Sequence, residues 1–223
     1  MPSHNKTIHN YMSANKKILI INGSVRGKQS NSGRITATAL RYLDGKRNII
    51  TTILTLTDPM PDIKEVYNLL AEHDGFLVIT GVYWNNWSSP LQRFIEIVSV
   101  FENSPAFFGK PFTCAVSMDS VGGIETAGRL HAVFSGLGCW SPPCSTLVIS
   151  RVGQAAVDAT KGTADDPNED VWRLDDIKVV LDNLVVSTQI NGQWISWPHA
   201  ELTIADGPWP GTGAIDLGSP KFL

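Results

Sequence analysis

Residues 22–32 read Asn22-Gly23-Ser24-Val25-Arg26-Gly27-Lys28-Gln29-Ser30-Asn31-Ser32. They gather glycines, hydroxyls, amides and two cations between an apolar run at 18–21 and a helical pattern that follows at once. That is a buried strand feeding a helix N-terminus through a polar loop. Backbone N–H groups point outward at a helix start, the helix dipole favours an anion, and hydroxyl and guanidinium groups add charge-assisted hydrogen bonds. The chemistry is phosphate binding. Spacing excludes two common versions of it. A P-loop needs four residues between Gly and Gly-Lys-Ser/Thr; here Gly23 and Gly27-Lys28 are one residue too close, and Gln29 replaces the Mg²⁺-binding hydroxyl. A dinucleotide fingerprint needs glycine at position 25, which is valine. A Ser/Asn/Arg loop suits a terminal monophosphate held without a metal. The structural alternative is an ordinary strand-to-helix turn.

Two more loops carry usable chemistry. Thr80-Gly81-Val82-Tyr83-Trp84-Asn85-Asn86-Trp87-Ser88-Ser89-Pro90 sets aromatic faces beside amides and hydroxyls. Met118-Asp119-Ser120-Val121-Gly122-Gly123-Ile124-Glu125-Thr126 holds two adjacent glycines, which let a backbone approach a ligand closely. A phosphate site, an aromatic platform and a close-approach turn together describe a pocket for a flat heterocycle carrying one phosphate. Glu125 and Asp119 read as solvated or helix-start charges, and His131 as structural.

These loops need strands to hold them. Short apolar runs at 17–22, 49–56, 76–80, 112–117 and 145–150 read as strands. Between and after them, helical patterns occupy about 32–43, 62–73, 88–101, 123–136 and 170–186. Asp62 reads as one N-cap, and Ser88 or Ser89 before Pro90 as another. Residues 152–168, rich in Gly, Ala and Asp, read as a loop and a candidate lid. Five β-α units imply an α/β fold with a parallel sheet covered on both faces. Ligands of such sheets sit outside the strands' carboxyl ends, where all three loops emerge. Residues 1–16 read as a flexible N-terminal arm, residues 17–187 as the domain, and residues 188–223 as an extension whose tryptophans pack on its own or a partner subunit.

Composition sets bounds. The 223 residues are 43% hydrophobic, enough for one substantial core, and the net charge of −3 gives no footprint for nucleic acid. No apolar run approaches a membrane span, and the N-terminus lacks the apolar core of a signal peptide. Three cysteines without a C-x-x-C pair argue against a disulfide framework or zinc site, and fit a reducing cytoplasmic protein.

With those motifs in order, the chain over about residues 17–187 resembles the flavodoxin-like NADPH-dependent FMN reductases. Gly23-Ser24-Val25-Arg26 with Ser30-Asn31-Ser32, the stretch from Gly81-Val82-Tyr83-Trp84 to Phe94-Ile95-Glu96, and Gly122-Gly123-Ile124-Glu125-Thr126 carry the likeness. The middle stretch is most similar to the branch of iron–sulfur flavoproteins and WrbA-type quinone reductases. The chain departs from that branch at Gly81 (usually Pro), Asn85 (usually Gly) and Pro90 (usually Gln). It also lacks cluster cysteines in residues 57–62, so no iron–sulfur cluster is expected.

The resemblance implies a three-layer α/β/α sandwich with a five-stranded parallel sheet in the order 2-1-3-4-5. It implies that Ser24, Arg26, Ser30, Asn31 and Ser32 hold the FMN phosphate. Tyr83, Trp84, Asn85 and Asn86 would line the isoalloxazine, and Gly122 and Gly123 its polar edge or the nicotinamide side, with Val82 and Ser120 joining them in the cofactor site. The implied activity is hydride transfer from NAD(P)H through FMN to a small-molecule electron acceptor such as a quinone or flavin, with no catalytic side chain required. The implied assembly is a homodimer or homotetramer, with Trp84, Trp87 and the third helix as contact candidates. Arg34, Arg129 and Arg151 remain open as partners for a 2′-phosphate. The rival readings are an electron-transfer flavodoxin without NAD(P)H activity, a nucleotide- or phosphate-binding kinase built on the near-miss Gly23/Lys28 loop, which lacks the Mg²⁺ hydroxyl, and an interaction module that has lost its cofactor.

Overall fold

A computed structural model describes residues 15–59, 61–160 and 173–197. Five parallel strands, β1 (Lys16–Asn22), β2 (Ile49–Thr55), β3 (Gly75–Gly81), β4 (Phe112–Met118) and β5 (Thr146–Ser150), form one sheet in the order β2-β1-β3-β4-β5. The helices are α1 (Asn31–Asp44), α2 (Ile63–Glu72), α3 (Ser89–Val98), α4 (Gly123–Leu137), α5 (Arg151–Thr160) and α6 (Ile177–Ser187). This is the flavodoxin-like sandwich and strand order that the resemblance implies.

Alternate residues of each central strand enter opposite cores. Leu19, Ile21, Phe76, Val78, Cys114 and Val116 pack on one face with Val66 and Leu70 of α2, Leu91 and Phe94 of α3 and Leu130 and Phe134 of α4. Ile18, Ile20, Leu77, Ile79, Ala115 and Leu147 pack on the other face with Ile35 and Ala39 of α1 and Leu181 and Leu184 of α6. Burial on both faces explains the unbroken apolar runs. Each fully buried Leu, Ile or Phe contributes about 1.5–3 kcal/mol before entropy is counted.

Local signals set the helix starts. Asp62 and Glu65 form a capping box on α2, Ser30 caps α1 through Gly33 N (3.0 Å), and Ser88 caps α3 with Pro90 in its first turn. Register aligns the strand ends: Asn22 stands opposite Thr55 and Ile79, Gly81 opposite Ser117, and Met118 opposite Ser150. The segments after β1, β3, β4 and β5 therefore leave one edge together.

One expectation is corrected. The first part of the stretch read as a loop at 152–168 is helical: α5 continues directly from β5. Gly153 had suggested a loop, but Ala155 and Ala156 follow it, and Ser150 Oγ accepts from Gly153 N (3.0 Å) while Asp119 O accepts from Val152 N (3.0 Å). Residues 161–172 lie outside the described residues. The last helix, expected from residue 170, begins at Ile177 after a 3-10 turn at Leu174–Asp176.

The expected N-terminal arm lies outside the described residues up to position 14, and the C-terminal extension does so beyond 197. Within the described part, Trp194 packs on Trp140 (centroids 5.9 Å apart) and over Gly109. All three cysteines are free; Cys114 and Cys139 are buried, and burial pushes the Cys114 thiol up to about 12. Half-buried His131 has Nδ1 2.6 Å from Ser141 Oγ and Nε2 2.7 Å from Thr146 Oγ1, and burial lowers its pKa. Among the described residues no helix is long and apolar enough to cross a membrane, and no cluster of three His, Cys, Asp or Glu is placed to hold a metal.

Candidate functional site

The loop after β1 is braced from within. Asn22 Oδ1 accepts from Ser24 N (3.1 Å). Ser24 Oγ donates to Ser30 Oγ (2.7 Å) and accepts from Arg26 N (3.1 Å), while Ser30 Oγ donates to Gly27 O (2.8 Å). Ser24 and Ser32 are buried, and the hydroxyl protons of Ser24 and Ser30 are engaged inside the loop. What faces outward is different. Asn31 and Ser32 open the first turn of α1, where N–H groups have no acceptor within the helix. Arg26, Lys28, Asn31 and Arg34 are exposed around that turn. A helix N-terminus surrounded by cations can hold an anion.

The loop after β3 begins with Val82 N donating to Ser117 O (2.8 Å). Tyr83 and Asn86 then exchange two backbone hydrogen bonds of 2.7 and 3.0 Å across a two-residue turn. Both central residues are left-handed, Trp84 at φ 49° and Asn85 at φ 58°. Asn tolerates this conformation, so Asn85 takes it at little cost. Tryptophan does not favour it, and such strain persists only where the surroundings enforce it. The turn presents the Trp84 indole at 102% exposure, with Tyr83 beside it at 42%. Trp87, by contrast, turns inward: its Nε1 donates to Gln92 Oε1 (2.8 Å), and the Arg129 guanidinium lies 5.8 Å from its ring centre.

After β4, Gly122 takes φ +86° and stands as the N-cap of α4, with no side chain to cap the first turn. A Cβ on Gly122 would run into Asn85 Oδ1 and come within 3.1 Å of Val82 Cγ1. On Gly123 it would meet Val148 and lie 2.8 Å from Met118 Sδ. Gly122 is needed where two loops touch, and Gly123 where α4 starts against β4 and β5. Ser120, Val121 and Ile124 are exposed beside them, and Asp119 pairs with Arg151 of α5 at 2.6 Å.

The contacts join the loops in sequence. Ser88 Oγ donates to Gly23 O, and a Cβ on Gly23 would lie 2.9 Å from Leu91 Cβ, which locks the first loop to the start of α3. Asn85 against Gly122 locks the second loop to the third. The result is three loops set side by side along the strands' carboxyl ends. The cation-ringed start of α1 lies at one end, aromatic and amide groups in the middle, and the Gly122 turn, which has no side chain capping α4, at the other. Val25, Tyr83, Trp84, Val121 and Ile124 expose apolar surface on this edge. Hollows of about 210 and 330 Å³, one lined by His73, Asp74 and Lys110 and the other by Phe108 and Trp194, involve none of the three loops.

A family model of NADPH-dependent FMN reductases matches residues 16–154. The chain belongs to this family. Among solved structures, RosB with a bound flavin-derived intermediate (8-demethyl-8-formylriboflavin-5'-phosphate) aligns at 14% identity and TM-score 0.63, covering 78% of this chain and 79% of that one. The apo form of an NADH:FMN oxidoreductase, EMOB, aligns at 16% identity and TM-score 0.57, covering 78% and 89%. A WrbA-like flavodoxin from Agrobacterium tumefaciens aligns at 14% identity and TM-score 0.53, covering 79% and 99%. These likenesses show the shared fold. No curated protein sequence matches the chain.

All the loop residues singled out from the sequence lie at this edge of the FMN reductase fold. Three features escaped that reading. One is the internal engagement of Ser24 and Ser30, another the Ser88–Gly23 bond, and the third the Asp119–Arg151 pair. Only Ser88 left a local trace, as a hydroxyl just ahead of a helix-start proline.

Proposed function

We propose that this protein is an FMN-dependent NAD(P)H oxidoreductase that passes reducing equivalents to a small acceptor such as a quinone or free flavin. The observation that carries the reading is the contact of Asn85 with Gly122, on the same edge as the cation-ringed start of α1. That arrangement suits a ligand with an anionic tail and a flat ring.

The donor set fits FMN. The first-turn N–H groups of Asn31 and Ser32, with Arg26, bind the phosphate, and Ser24, Ser30 and Ser32 hold the loop around it. Val82, Tyr83, Trp84, Asn85 and Asn86 take the ring. Ser120, Gly122 and Gly123 offer donors to its polar edge. When bound, FMN supplies the two-electron redox chemistry, which needs no protein nucleophile. The side chains orient the ring, shield one face from water and stabilise negative charge through the uncapped N-terminus of α4. Homodimers or homotetramers follow from the same reading, with Trp84 as the contact residue.

The test is an absorbance spectrum of the purified protein with FMN, followed by anaerobic titration with NADPH and NADH. The reading expects a bound flavin whose visible band bleaches with a nicotinamide donor. Flavin uptake without bleaching would instead support an electron-transfer flavodoxin. A protein that takes up no FMN would overturn the proposal.

A further inference from the structure

NADPH and NADH differ at one position, the adenosine ribose 2′ substituent, which is a phosphate in one and a hydroxyl in the other. A carboxylate recognises the hydroxyl; a guanidinium fork recognises the phosphate. The sequence leaves three arginines open for that role, and the structure separates them. Arg129 is engaged over the Trp87 ring. Arg34 stands on the first turn of α1, behind Arg26 and Lys28 of the loop after β1, where the proposed reading puts the FMN phosphate. Arg151 is the first residue of α5, and its Nε donates to Asp119 Oδ1 at 2.6 Å.

Among the described residues this is the ion pair that joins the segments directly following two strands, β4 and β5. Its side chains are 74% and 66% exposed, for Arg151 and Asp119 respectively. Its backbone is fixed: Asp119 O accepts from Val152 N (3.0 Å) and Ser150 Oγ (3.1 Å). Asp119 lies three positions before Gly122, so the pair stands on the third loop, at the same edge of the sheet as the other two. An ion pair this exposed adds little to stability, so exchanging its partner costs little. The bond to Asp119 uses Nε, which leaves the outer edge of the guanidinium for another acceptor.

We propose that the Asp119–Arg151 pair selects the nicotinamide donor: Asp119 accepts from the 2′-hydroxyl of NADH, and Arg151 takes the 2′-phosphate of NADPH. This inference rests on the proposed oxidoreductase reading. With NADH the pair stays intact, because a carboxylate has a second oxygen to offer. With NADPH the phosphate replaces Asp119 on Arg151, and the Asp119 charge opposes it. Both donors are therefore used, and each residue favours one of them.

The test uses the full chain loaded with FMN. Steady-state KM is measured for NADPH and for NADH in wild type, Arg151→Gln and Asp119→Asn, together with calorimetric binding of adenosine 2′,5′-bisphosphate and adenosine 5′-monophosphate. Arg151→Gln should raise the ratio of the NADPH KM to the NADH KM by about tenfold or more, and should erase tighter binding of the bisphosphate. Asp119→Asn should lower the same ratio. Equal shifts for both donors, or an unchanged ratio in both variants, would overturn the inference while leaving the oxidoreductase reading intact. A wild-type flavin that neither donor reduces would overturn both. If Arg151→Gln does not fold, Asp119→Asn decides by the same ratio.

Discussion

Arg26 and Trp84 are the two side chains whose exposure calls for a ligand. Arg26 has its backbone N–H tied to Ser24 Oγ while its side chain stands in solvent beside the start of α1. Arg26→Ala is expected to weaken FMN binding about ten- to a hundredfold, by loss of a charge-assisted contact. Quenching of FMN fluorescence on titration measures it, and unchanged affinity removes Arg26 from the site. Trp84 carries left-handed backbone strain and buries nothing. Trp84→Asn should therefore stabilise the cofactor-free protein by about 1 kcal/mol in urea unfolding, because asparagine accepts this conformation and no packing is lost. A loss of stability would show that the indole is packed in solution. Position 26 could be nominated from residue type alone. The freedom of its side chain, and the engagement of Ser24 and Ser30, could not, because they depend on how the loop closes over residues 24–33.

At the scale of elements, the site depends on two turns in contact. Gly122→Ala would force a Cβ toward Asn85 and a side chain into a positive-φ backbone. The expected cost is about 2 kcal/mol of stability, with weaker FMN binding as the 83–86 turn is pushed aside. Thermal unfolding and FMN titration check it. Asn85→Gly in the same chain should recover part of the loss, since it removes the Oδ1 that the new methyl meets; additive losses would mean that the turns are independent. The helix starts were readable locally, from Asp62 with Glu65 and from Ser88 ahead of Pro90. Helix α5 was not. Most of its described residues are exposed and its sequence is mostly small residues, so its order comes from Ser150 and Asp119, which belong to a strand end and a neighbouring loop.

For the whole molecule, two partly desolvated imidazoles set an acid limit. His131 is held between Ser141 and Thr146. His73 is buried, with Nδ1 2.6 Å from Leu69 O and Nε2 without a partner among the described residues. Burial lowers both pKa values, and the Lys17 and Lys110 charges add to the effect at His73. The unfolded chain takes up these protons at the ordinary value of 6.5, the folded chain only at lower pH. Unfolding therefore takes up protons between those limits, and stability falls as pH drops below 6.5 toward the lowered folded values. Urea unfolding from pH 8 to 5 should show this decline, and His131→Gln should make it shallower. An identical slope in the variant would place the proton uptake elsewhere.

The alternation of strands and helices was fixed by the chain itself, as were the polar, aromatic and glycine character of the three loops. Both are properties of neighbouring residues: an apolar run of strand length, a cap before a first turn, a left-handed turn that asparagine can satisfy. Tertiary structure decided which groups are spent on the protein and which are left over. The bond from Ser88 to Gly23 spans 65 positions, and the pair of Asp119 with Arg151 spans 32. Contacts at that range are set by strand order and register, which bring loop ends together through space, and no local pattern records them.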